Sequence, residues 1–216
     1  MFPFGPAGSP DELLEVPGCP VCLALPQIET ELVGWFALQA LHDPDSRRRV
    51  LAARGLCPRH WRLVAAEEQH RRQSMLGTAE LFAAVLSRQG THEETAVNCP
   101  VCADLAASAR HRLYLLLVDL GQERLDAAPA TWRPCLPHLR GLGELRLERW
   151  LQRWAHEREE RILTDAVAAA RRYVRTRQQR YHAEATGTEA QDLVDAMAAL
   201  LGDGPPAAQP DDRAVR

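Results

Sequence analysis

The chain has 216 residues, 46% of them apolar and 25% charged, with a net charge of −3. That balance fits a soluble globular protein, one large domain or two small ones, and gives no whole-molecule pull toward nucleic acid or a membrane surface. The N-terminus lacks the positive start and apolar run of a secretion signal, and no stretch approaches the roughly 20 apolar residues that span a bilayer. A cytoplasmic location is the expectation.

In chain order, residues 1–9 are rich in Pro and Gly and read as a disordered N-terminus. Ser9-Pro10-Asp11-Glu12 starts a short helix that Pro17-Gly18 ends. Pro20 opens a second, with Val21, Leu25, Ile28, Leu32, Trp35, Phe36 and Leu41 at helical spacing and a break or kink expected at Pro26. Asp43 to Ser46 reads as a turn, and Arg47 to Arg54 as a short helix stopped by Gly55. From Pro58 a helix with Trp61, Val64, Leu76, Leu81 and Phe82 runs toward Gly90, bent near Gly77. Thr91 to Glu94 can cap a further turn.

Pro100 opens a helix to about Leu120, a loop crosses 127–134, and a long helix begins after Pro137. It contains no Gly or Pro from Glu144 to Thr186. Gly187 breaks it, Thr188 with Gln191 caps a last helix to Leu201, and 203–216 reads as a disordered tail. No alternating strand pattern appears, so the fold class expected is all-α.

The strongest signal is a word that occurs twice, Cys19-Pro20-Val21-Cys22 and Cys99-Pro100-Val101-Cys102. Thirty-odd residues after each comes a Cys-x-x-His, first Cys57 with His60, then Cys135 with His138. All six cysteines belong to this pattern. Four ligands drawn from Cys sulfur and His nitrogen are what a structural zinc takes, and Cys3His is a common set. Three of the four pairs begin Cys-Pro, so a helix starts there and its second ligand lies one turn up the same face. Helix N-termini also favour the thiolates a metal requires.

Sequence proximity pairs Cys19, Cys22, Cys57 and His60 around one zinc, and Cys99, Cys102, Cys135 and His138 around a second. The duplication then gives two fused units, residues 10–98 and 99–202. An iron–sulfur cluster is the alternative cofactor, although all-Cys ligation is more usual there. A thiol–disulfide exchange centre wants a strand–helix setting, and a c-type haem wants His directly after the second Cys, where Leu23 and Ala103 stand. His92-Glu93-Glu94 ahead of Cys99 resembles deaminase elements only by coincidence of spacing. His42, His70, His111, His156 and His182 lie singly and read as ordinary helix residues.

Arg171 to Tyr181 carries five arginines, two tyrosines and no acid. Arg171 and Arg175 share a face, whereas Arg172, Arg177 and Arg180 point elsewhere, so nucleic-acid binding is not expected.

The run Asp43-Pro44, Arg47, Leu51, Gly55-Leu56-Cys57 and His60-Trp61, followed by Leu76-Gly77-Thr78-Ala79, resembles a bacterial family classed as a domain of unknown function. Its two halves repeat Cys-Pro-x-Cys and Gly-Leu-Cys-x-x-His. The resemblance covers roughly residues 15–145; Arg133-Pro134 and Leu139 depart from it in the second half and leave the ligands intact. It implies the architecture and no activity. The function expected is a non-enzymatic, zinc-stapled helical scaffold acting on an unidentified protein partner, with no membrane. The alternative is a redox-responsive or nucleic-acid-binding regulator.

Overall fold

A computed structural model of the chain describes residues 10–88, 99–129, 131–179 and 188–201. The readings of 1–9, of Thr91 to Glu94, of His182 and Gly187, of the Thr188 cap and of 203–216 lie outside what it describes. Among the described residues the protein is all-α. The helices are α1 (Pro10–Glu15), α2 (Pro20–Trp35), α3 (Pro44–Ala52), α4 (Pro58–Arg72), α5 (Leu76–Arg88), α6 (Pro100–Ala127, broken by a kink at Gly121, φ 70° and ψ 167°, next to the end expected near Leu120), α7 (Leu136–Leu142), α8 (Arg149–Gln179) and α9 (Thr188–Leu201).

Helix α2 runs through Pro26, which simply has no N–H to give the carbonyl of Cys22. It continues into a π-helical turn, Phe36–Ala40, closed by Leu41 N–H on the Phe36 carbonyl at 3.0 Å. The extra residue in that turn lets Phe36, Ala37, Ala40 and Leu41 all enter the core. Helix and turn together make 21 residues, long and apolar enough to cross a membrane by length and composition, contrary to the sequence expectation. Ile28, Val33, Phe36 and Ala37 are nevertheless buried in the protein, and Glu29 sits in its middle.

Three expected element boundaries are corrected. Asp43 to Ser46 is the start of α3, with the Asp43 carboxylate accepting from Ser46 N–H at 2.7 Å and Pro44 in the first turn. The bent helix expected from Pro58 to Gly90 is a hairpin, α4 and α5, turned at Gln73 in a left-handed conformation (φ 55°). Its closure is polar: the buried Glu68 carboxylate on α4 accepts from Gly77 N–H (3.0 Å), Thr78 N–H (2.9 Å) and the Thr78 hydroxyl (2.7 Å) at the start of α5. Those amides are the unpaired donors of a helix N-terminus, so Glu68 caps α5 from another helix. A Cβ at Gly77 would sit 3.0 Å from Glu68 Oε1, so the residue's role is close approach, not a bend. Finally, the long helix expected after Pro137 is two, α7 and α8. The tight bonds Gly143 N–H to Arg140 and Leu145 N–H to Leu142 end α7.

The chain forms two compact units, Pro26–Ser108 in one and Met1–Leu25 with Ala109–Arg216 in the other. The expected division between residues 98 and 99 is not where they part. The chain leaves the second of these units within α2 and re-enters it within α6. In the unit 26–108, Val33, Phe36, Leu41, Val50, Val64, Leu81, Val85 and Val101 form one core. Gly55, at φ 116°, lies against it where a Cβ would meet Val85 at 3.3 Å and Trp61 at 3.4 Å. In the other unit Leu113, Leu116, Leu117, Leu125, Trp132, Leu142 and Leu151 are fully buried, and α8 packs along α9 through Ala166, Ala169, Ala196 and Leu200.

Candidate metal centres

Each Cys-x-x-Cys or Cys-x-x-His occupies the same place on a helix. The carbonyls of Cys19, Cys57, Cys99 and Cys135 accept from the N–H four residues on, at 3.0–3.2 Å, so each of these cysteines caps the helix that follows. Cys57 and Cys135 have extended backbone (ψ 160°), and neither thiol makes a capping bond. The second ligand, three residues later, leans back over the same N-terminus. A metal ion bound there would take the place of the reciprocal side chain–backbone bonds of a capping box.

Two groups of four ligand atoms result, and each lies within 4.8 Å of its own members. They are Cys19, Cys22, Cys135 and His138, the outer site, and Cys57, His60, Cys99 and Cys102, the inner site. The eight ligands predicted from sequence thus all converge, but the predicted pairing is wrong. The motifs nest: the first closes with the last, and the two middle ones with each other.

Helix lengths give the reason. Between Cys22 and Cys57 stand the 21-residue run of α2 with its π turn and the 9-residue α3, too unequal in length for one to fold back along the whole of the other. From Cys57, by contrast, α4 and α5 have 15 and 13 residues and fold back on each other, returning the chain to where α4 began. Cys99 follows there. The outer site is drawn together by a short parallel bridge, in which Gly18 N–H donates to the Thr131 carbonyl (2.9 Å) and Arg133 N–H to the Gly18 carbonyl (3.1 Å). The bridge sets Cys19 and Cys135 side by side. Arg158 on α8 holds the intervening Trp132 carbonyl at 3.2 Å.

A tetrahedral centre with Zn–S near 2.3 Å and Zn–N near 2.0 Å separates its ligands by about 3.8 Å sulfur to sulfur and about 3.5 Å sulfur to nitrogen. In the outer site Cys22 and Cys135 sulfurs are 3.7 Å apart, and His138 Nδ1 lies 3.4, 3.6 and 3.0 Å from Cys19, Cys22 and Cys135. In the inner site Cys57 and Cys102 sulfurs are 3.8 Å apart, and His60 Nδ1 lies 3.2, 3.5 and 3.3 Å from Cys57, Cys99 and Cys102. Both donor sets fit one metal ion.

The protonation of the thiols points the same way. Cys19 is pushed down, chiefly by hydrogen bonds with Cys135 and Cys22, while Cys22 is pushed up, chiefly by those with Cys135 and Cys19. Burial opposes ionisation of Cys99, but its contacts with His60 and with the Cys57 and Cys102 amides outweigh that and bring it down to about 6. Burial and the neighbouring Cys99 and Cys57 push Cys102 up to about 12. Burial disfavours the imidazolium of His138, yet the Cys135 and Cys19 thiols raise it to about 9. Within each quartet the anions compete, because crowded thiolates repel without a cation among them.

Sequence reasoning missed one group. Arg59 grips Glu29 with two bonds of 2.7 and 2.5 Å, and Glu29 Oε1 stands 3.2 Å from His60 Nε2, the ring nitrogen turned away from the thiols. The last contact is oblique, an ion-pair distance without an aligned hydrogen bond. With a metal on Nδ1, a carboxylate in this position would favour the Nε2–H tautomer and steady the ring. Arg59 in turn holds the Glu29 carboxyl below its usual range. Among the described residues no carboxylate takes that place beside His138; Ala109 stands at the position of α6 that corresponds to Glu29 of α2, counting from each Cys-Pro. A carboxylate one helix away leaves no spacing signature, so only the fold reveals it.

The other sequence candidates stay apart from the sites. His42 lies beside Arg72, His111 beside Tyr114, and His156 beside Glu160. Arg171, Arg172 and Arg175 are exposed on α8, with Arg172 3.8 Å from Asp192, and the side chains from residue 176 to the end of the Arg-rich stretch lie outside those described. Comparison with protein-family models, curated protein sequences and solved structures finds no match to this chain.

Proposed function

We propose that the protein is a non-enzymatic helical scaffold whose two units are each stapled by one structural zinc ion. The observation that carries this reading is the closed set of four ligand atoms within 4.8 Å at each site. A catalytic zinc keeps an open coordination position, and neither quartet leaves one. An iron–sulfur cluster spreads its ligands over several iron atoms, so donors gathered this tightly favour a single ion. Bound there, the metal would supply cross-linking and charge neutralisation. The residues themselves present thiolates at helix N-termini and, at the inner site, orient an imidazole.

Elemental analysis of anaerobically purified protein tests this directly. Two zinc per chain and a colourless solution are expected. Brown protein with iron and labile sulfide would replace the reading with the redox alternative, and fully helical protein free of metal would remove the staple role. The scaffold acts within the cytoplasm through a protein partner in this proposal, and nucleic acid is not its ligand; the test is that any DNA or RNA association disappears at physiological salt.

A further inference from the structure

Helices α8 and α9 run antiparallel. Arg172 lies beside Asp192, whereas Ala166 and Ala169, earlier in α8, share a core with Ala196 and Leu200, later in α9. One residue beyond each contact position comes a second apolar stripe, Leu163, Val167, Ala170 and Val174 on α8, and Val194, Met197 and Leu201 on α9. In an antiparallel pair the same one-residue step turns both stripes onto one flank of the hairpin. That flank is uncovered: Leu163 is 39% exposed, Val167 50%, Val174 50%, Val194 56%, Met197 48% and Leu201 70%. A contiguous apolar face of this extent is not what a monomer ordinarily shows to water.

We propose that this flank is the interface between two copies of the chain, with α8 crossing the α8 of a second copy antiparallel about a two-fold axis between Val167 and Ala170. The α8 stripe steps by four, three and four residues, a pattern that reads the same from either end. Turned end for end, Leu163 meets the partner's Val174 and Val167 meets the partner's Ala170. A self-complementary patch of this kind is what an isologous interface requires. The charges along the stripe's outer edge agree. Glu160 stands at its N-terminal end, Arg171 and Arg175 at its C-terminal end, and all are exposed. Antiparallel pairing brings Glu160 to the partner's Arg175, whereas parallel pairing would stack each arginine on its own copy. The small side chain of Ala170 at the centre allows close helix approach.

Sedimentation velocity of the full, metal-loaded chain over a wide concentration range tests the proposal. A reversible dimer is expected, and Val167→Glu should leave a monomer with unchanged helical circular dichroism. Glu160→Arg and Arg175→Glu should each weaken dimerisation on the order of tenfold, because each sets like charges together at two symmetric places, and the double variant should recover it. A chain that stays monomeric throughout overturns the proposal, and so does a dimer indifferent to Val167→Glu. Single charge variants without effect, or a double variant no better than the singles, overturn the antiparallel register.

Discussion

The outer and inner sites use one donor set and one helix-start geometry, yet they are held by different means. In the outer site all three cysteines are buried, and the backbone bridge at Gly18 presses the two ligand pairs together. In the inner site Cys102 is exposed and Cys57 partly so, but His60 is buried and backed by Glu29 and Arg59. The two also differ in reach. The outer site joins Cys22 to Cys135 across 113 positions, and the inner joins Cys57 to Cys102 across 45. Burial and backbone pairing mark one site; a carboxylate behind its histidine marks the other.

Removing a ligand has the largest effect and ranks the two. Structural zinc contributes on the order of 10 kcal/mol to folding, comparable with the whole stability of a domain. Cys135→Ala and Cys57→Ala should therefore each abolish the cooperative melt of their own unit, followed by circular dichroism with metal content measured alongside. The longer loop adds about 1 kcal/mol to the outer staple, so Cys135→Ala should cost the more. Equal stability of either variant and the parent chain would show that the fold does not depend on that site.

Access separates the sites next. Cys102 presents its sulfur to solvent, so alkylating agents and chelators should act on the inner site first. Metal release should come in two phases of equal amplitude, with Cys102 the first cysteine modified in mass spectra taken between them. A single phase, or Cys19 modified first, would contradict the contrast in burial.

Glu68 tests the hairpin on which only the inner site depends. Glu68→Gln leaves the amides of Gly77 and Thr78 facing a group with one acceptor, at a cost of about 1–3 kcal/mol at neutral pH. Burial opposes the ionised form of Glu68, but its bonds from Thr78 and Gly77 outweigh that and hold the carboxyl below its ordinary value. The sign follows: its contribution is complete above the unfolded-state pKa and is lost as pH falls through the lower folded-state value. The stability gap between parent and Glu68→Gln, measured by denaturant unfolding, should thus close in acid below about pH 4. A gap that widened there would refute the assignment.

The smallest effect expected is that of Glu29→Gln. It keeps the side chain's shape and removes the charge behind His60, which should weaken the inner site about 10- to 100-fold in chelator competition and leave the outer site unchanged. Equal weakening of both sites would mean that Glu29 acts on the fold and not on the histidine.

Much of this was legible in the residues. Helical spacing and the absence of alternation gave the all-α class, and the paired cysteines and histidines named all eight ligands, because a Cys-x-x-Cys or Cys-x-x-His at a helix start is a local geometry that neighbours in sequence suffice to build. Asp43 as a cap and Gln73 as a turn were less visible, since short polar runs suit a turn or a helix end equally and only packing against the core chooses.

What the sequence determined, then, is everything that depends on a few consecutive residues: helix starts, the side chains gathered at them, and the chemistry of each half-site. What the tertiary structure decided is which half-sites meet. That outcome rests on the long reach of α2, the matched lengths of α4 and α5, a buried Glu68 locking their hairpin, and a bridge from Gly18 to residues more than a hundred positions away. Such distances are sums over whole helices and their packing, so no motif written in four letters contains them.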